Sequence, residues 1–127
     1  MFYTRTVKKR TVFPLEIAEQ SQVVEYLELL KLQGKITLFS AVPNNTFTNS
    51  WNQKRKQVKE GVRQGVPDLL ILTPSTILFL EMKRVKGGVV SEDQKAWILA
   101  LQDRPGVVAK VAHGFIEARN IIESCLT

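Results

Sequence analysis

The chain has one cysteine and one histidine among its 127 residues. A lone cysteine, Cys125, excludes an internal disulfide and any zinc site built from several cysteines, and a chain without disulfides belongs in a reducing cytoplasm. Catalytic or metal sites built on histidine have only His113 to draw on. It follows the last expected strand, far in sequence from every carboxylate discussed below, and reads as a surface residue. Cys125 stands close to the C-terminus and is equally poorly placed to serve as a nucleophile. No apolar run approaches the ~20 residues that span a bilayer. The N-terminal "MFYTRTVKKR" has charge but no apolar core behind it, so no secretory signal is expected. Repeats, low-complexity tracts and linkers are missing too, which predicts one domain over residues 1–127 with a basic N-terminal segment at 1–12.

What the chain does have is positive charge, a net +6, and this favours an anionic partner. The distribution says more than the total. Arg5, Lys8, Lys9 and Arg10 crowd the N-terminus, and Lys54, Arg55, Lys56, Lys59 and Arg63 crowd one segment in the middle. Either cluster can also be read as a solvated face.

The apolar pattern predicts an α/β fold with a mixed central sheet flanked by helices. Val23, Val24, Leu27 and Leu30 recur at helical spacing within a helix from Leu15 to Lys31, and Gly34 lies just past its end. Ile36 to Val42 reads as a strand. Ser50 is placed to cap a basic helix from Trp51 to about Glu60. Two strands, Val66–Leu72 and Thr76–Lys83, follow around "TPST"; then come a helix from Ser91 to about Asp103, a strand from Val107 to Ala112, and a helix from Phe115 to Ser124.

The two central strands carry residues that strand interiors usually exclude: Asp68, Glu81 and Lys83. A two- or four-residue loop symmetric about Pro74 and Ser75 sets Asp68 opposite Glu81, with Cβ atoms roughly 4.5–5.5 Å apart, whereas a three-residue loop breaks this register. Lys83, two residues beyond Glu81, shares its face. Leu70, Leu72, Ile77 and Phe79 make one face of the hairpin apolar, and Leu69, Ile71, Leu78, Leu80 and Met82 the other. A sheet apolar on both faces is expected to be covered on both, and bare carboxylates at its end are costly. Two arrangements answer that cost. One is a structural salt bridge in which the Lys83 ammonium spans the two acids. The other is a divalent ion: hard oxygen ligands suit Mg²⁺ or Mn²⁺, and Lys83 then positions or deprotonates an attacking water.

Two helices point to the same corner. The buried stripe of the first, extended back from Val23 and Leu27, runs through Gln20 and Glu16, with Glu19 one face round as a rival inward acid. An acid there is also favourable simply because it stands at a helix N-terminus. "SEDQ", Ser91 to Gln94, has capping-box spacing. Gln94 also shares a stripe with Trp97, Ile98 and Leu101, so its amide leans toward the core, where it can hold the lysine or the attacking water.

"PD", twelve residues, then "EMK" resembles the PD-(D/E)xK nuclease signature, and within that superfamily the chain resembles the small stand-alone VRR-NUC group of phage and bacterial type. "ExxxQ" at Glu16 and Gln20, "PN" at Pro43 and Asn44, "GVPDLLIL" from Gly65, "EMKR" from Glu81 and "SxxQxxW" from Ser91 carry the likeness. The spaced set is far more specific than "PD…ExK" alone. The resemblance implies a restriction-endonuclease-like core in which Glu16, Asp68, Glu81 and the Met82 backbone carbonyl bind Mg²⁺ or Mn²⁺ while Lys83 and Gln94 assist the water. It implies structure-specific cleavage of branched DNA, such as four-way (Holliday) junctions or flaps, by a homodimer in a bacterial or phage-infected cytoplasm. Lys54, Arg55, Lys56, Lys59, Arg63, Arg84 and Asn44 are then the candidate DNA contacts, and Gln20, Glu19 and Ser91 supporting residues. Ser40 departs from the pattern, since relatives often have histidine before the "PN" turn. The rival reading is a non-catalytic or partner-activated DNA-binding protein on a nuclease fold. That reading explains the charge but leaves Asp68 and Glu81 without a purpose.

Overall fold

The computed structural model describes residues 16–43 and 50–127, with side chains from residue 18 onward. The basic cluster Arg5 to Arg10, Asn44 and the Glu16 side chain therefore lie outside the described residues. The elements run α1 (Glu16–Leu32), β1 (Leu38–Ala41), α2 (Trp51–Lys59), β2 (Leu69–Leu72), β3 (Ile77–Lys83), α3 (Glu92–Gln102), β4 (Val107–His113) and α4 (Phe115–Ser124). This is the expected order, with the first two strands shorter at their ends than the apolar runs imply.

The strands form one four-stranded sheet in the order β1-β2-β3-β4. β1 and β2, and β2 and β3, pair antiparallel; β3 and β4 pair parallel, a connection that needs a crossover and uses α3 for it. The hairpin register is the predicted one, with Leu69 opposite Leu80 and Leu72 opposite Ile77. Thr73 and Thr76 close its loop, the Thr73 hydroxyl accepting the Thr76 N–H at 2.9 Å and donating to the Thr76 carbonyl at 3.0 Å.

One face of the sheet builds the main core. Leu69, Ile71, Leu78, Leu80, Met82 and Ala112 pack against Val23, Leu27 and Leu30 of α1 and Ala118 and Ile122 of α4. Each fully buried Leu or Ile in such a set stabilises the fold by roughly 1.5–3 kcal/mol. α1 ends at Gly34, whose φ of +75° lets the chain reverse while the Lys35 N–H reaches the Leu30 carbonyl at 2.9 Å.

The second face departs from expectation. Among the described residues α3 covers it mainly along β4, burying Ile98 and Ala109, and reaches β3 at Glu81 through Gln94. Toward β1 and β2 it stays open: Leu38 and Ile77 are exposed, and Leu70, Leu72 and Phe79 are half-buried. A single short helix cannot span four strands, so apolar character on both faces overstates the cover. α2 stands apart, capped by Ser50 accepting from the Gln53 N–H at 3.3 Å and burying none of its residues. Among the described residues no helix is long and apolar enough to cross a membrane.

Candidate functional site

Asp68, Glu81, Lys83 and Gln94 meet on the second face, where β3 runs out beneath the start of α3. Asp68 stands one step before β2, and continuing the hairpin register sets it opposite Glu81. The two carboxylates do not simply confront each other, because Asp68 Oδ2 accepts the backbone N–H of Met82 at 2.8 Å. A strand residue presents its N–H and C=O to the same side, so the Met82 carbonyl also faces Asp68. The Lys83 carbonyl faces the other way and accepts the Gly114 N–H at 2.9 Å.

Glu81 is 2% exposed and Lys83 7%. The Lys83 ammonium lies 3.7 Å from Glu81 Oε2, beyond the ~2.7–2.9 Å of a close charge-assisted hydrogen bond. The tighter contact to that oxygen comes from Gln94, whose Nε2 donates to it at 2.8 Å. The same side chain completes the capping box: its Oε1 accepts the Ser91 N–H at 2.9 Å, and its own N–H reaches Ser91 Oγ at 3.1 Å. The capping-box reading of Gln94 is met, and the same amide leans inward as expected, where it holds the glutamate rather than the lysine.

The turn into Asp68 is held by packing that the sequence conceals. Gly65 has φ of +91°, and a Cβ there would come within 2.6 Å of the Asp93 backbone carbon in the first turn of α3. Trp97 Nε1 donates to the Gln64 carbonyl at 3.1 Å and pins the same turn. Gly88 similarly lies against Lys83, where a Cβ would meet the lysine Cβ at 2.9 Å. The signal for Gly65 is present in the chain, since it opens the "GVPD" motif, but its contact partner is not.

Glu16 begins α1, one turn before Glu19 and Gln20. Glu19, the rival of Glu16 as the inward acid, is buried at 7% exposure, and Gln20 is half-buried. Glu19 Oε1 accepts the Phe115 N–H at 2.6 Å and so caps the start of α4. His113 also corrects the sequence reading. It is half-buried, it pairs with Lys83 in the parallel register, and its Nδ1 lies 3.1 Å from the Arg84 carbonyl. Distance along the chain conceals a neighbour in the sheet.

Of the candidate DNA contacts, Lys54, Arg55, Lys56, Lys59 and Arg63 are exposed on and just after α2, and Arg84 is half-buried. Arg63 Nη1 donates to the Val62 carbonyl at 3.1 Å and the Val58 carbonyl at 3.4 Å, so its guanidinium is partly committed to the end of α2. Arg55 donates to Asn52 Oδ1 at 3.1 Å. Ser40 is exposed on β1, its hydroxyl donating to the Ala41 carbonyl.

The corner offers hard oxygens from Asp68, Glu81 and the Met82 carbonyl, the donor type that suits Mg²⁺ or Mn²⁺. No group of three or more His, Cys, Asp or Glu side chains gathers among the described residues.

The family model for the VRR-NUC domain matches residues 14–115. Among solved structures, the fold is similar to a "VRR_NUC domain protein" with a TM-score of 0.56 and 24% identity, covering 69% of this chain. This chain spans 66% of that neighbour's length. A comparison with curated proteins finds no match.

Proposed function

Because the chain belongs to the VRR-NUC family, a group with a nuclease fold, we propose that it is a Mg²⁺- or Mn²⁺-dependent DNA endonuclease. The observation that supports this reading is the convergence of Asp68, Glu81, Lys83 and Gln94 on one sheet end. Asp68, Glu81 and the Met82 carbonyl would hold the ion, with Glu16 as the additional acid. A bound divalent ion supplies Lewis acidity to the phosphate and to the leaving oxygen.

The chain's own residues do the rest. Gln94 fixes the Glu81 carboxylate, and the Met82 N–H fixes that of Asp68. The Lys83 ammonium donates to the attacking water and orients it; the water's proton passes to solvent as its oxygen bonds to phosphorus and the ester P–O bond breaks, and the leaving oxygen is protonated from solvent. The exposed lysines of α2 grip phosphates, which gives affinity without sequence information.

The substrate we propose is branched DNA, a four-way junction or a flap, cut by a homodimer. Symmetric resolution of a junction takes two cuts, and a two-fold dimer supplies the second site.

Labelled junctions, flaps, single strands and duplexes incubated in Mg²⁺ or Mn²⁺ test the proposal. Wild type is expected to cut branched forms only with the metal present, and Glu81→Ala and Lys83→Ala to bind DNA without cutting. Cutting by both variants at the wild-type rate would overturn it. Metal uptake without turnover would point instead to a partner-activated enzyme.

A further inference from the structure

The last turn of α2 and the first turns of α3 face each other across an open groove of about 560 Å³, lined by Val58, Val62, Arg63, Gln64, Asp93 and Trp97. Asp93 precedes Gln94, which holds Glu81, and Gln64 precedes Gly65, which opens the turn into Asp68. The same helix carries exposed Lys54, Lys56 and Lys59. A nucleic-acid strand gripped by α2 and reaching Glu81 passes over this groove.

The lining selects what enters. Trp97 and the two valines form an apolar wall. Val58 is 62% exposed on a helix that buries nothing, so the core does not require it there. The indole is anchored at its edge by the bond to Gln64. A phosphate is a poor occupant, because Asp93 sets a carboxylate in the lining and the Arg63 guanidinium already bonds the carbonyls of α2. A nucleobase fits both halves: its faces are apolar, and its edge amino groups can donate to a carboxylate.

We propose that this groove takes the base of one unpaired nucleotide flanking the cut phosphate, packed against Trp97 and read at its amino edge by Asp93. A base paired within a duplex is not free to enter, so the groove favours substrates with an unpaired nucleotide. The inference rests on the nuclease reading for why DNA lies there, but its test is separate.

Trp51→Phe leaves Trp97 as the one tryptophan reporter, since the chain has two. The probes are a duplex with a single-stranded overhang, of either polarity, and the same duplex with abasic residues in the overhang, compared by anisotropy and tryptophan emission in EDTA. The base-bearing probe is expected to bind roughly tenfold tighter and to quench Trp97. Cytosine overhangs should bind tighter than thymine, which lacks an amino group, and Asp93→Asn should narrow that gap. Val58→Ser, a change on an exposed surface, should reduce the base preference. Equal affinity for both probes with unchanged emission would overturn the groove. The junctions and flaps in Mn²⁺ separate the two proposals: cutting of branched forms with no base preference among the overhang probes removes the groove alone, and base preference with no cutting of any branched form in any metal removes the nuclease reading alone.

Discussion

Gln94 donates from Nε2 to Glu81 Oε2 at 2.8 Å while its Oε1 accepts the Ser91 N–H at 2.9 Å. One amide thus ties the start of α3 to the carboxylate corner, and cap and site share a residue.

The two duties can be separated. Gln94→Glu keeps a capping acceptor at this position but sets a carboxylate against Glu81. Cleavage should fall by roughly 10–100-fold, the usual effect of losing a group that supports a metal ligand. Gln94→Ala should lose both duties, as low activity together with a lower melting temperature. Equal activity in Gln94→Glu and wild type would contradict the assignment.

Gly65→Ala should destabilise the protein by at least ~1–3 kcal/mol, because the positive φ and the close Asp93 backbone both oppose a side chain. Urea unfolding measures the loss. Metal affinity should weaken in parallel, since the strained turn carries Asp68.

Glu19→Ala leaves the Phe115 N–H without its acceptor and should cost about 1–3 kcal/mol of stability. Glu19→Gln, whose carbonyl can still accept, should restore most of it. Below the melting transition Glu19→Gln should still cut, whereas Glu16→Gln should not. The reverse pattern would exchange the roles of the two acids.

Replacing Lys54, Lys56 and Lys59 with Gln should weaken binding to all DNA sequences alike. The slope of log K against log salt should become shallower by about 0.9 for each duplex phosphate that the protein no longer neutralises. An unchanged slope would mean that α2 does not touch the backbone.

The hairpin is legible in the sequence as two apolar runs around "TPST", and the structure selects the symmetric loop over the three-residue alternative, which sets Asp68 opposite Glu81. Gln94 is legible because cap spacing and helical stripe both single it out. The burial of Glu19 is not. The stripe of Val23 and Leu27 runs back through Gln20 and Glu16 with Glu19 one face round, and only the start of α4, distant in sequence, gives Glu19 its buried contact. His113 escapes for a similar reason, since the α3 crossover brings β4 beside β3 and the chain gives no local sign of it. The open part of the second face reflects a layer too small for its sheet, which residue pattern alone does not reveal.

The central claim is that Asp68 and Glu81 gather at this sheet end to hold a divalent ion. Calorimetric titration with Mn²⁺ tests it directly. Wild type should take up the ion saturably, and Asp68→Ala and Glu81→Ala should lose that uptake while remaining folded. No uptake by wild type, with or without DNA, or undiminished uptake by both folded variants, would contradict it.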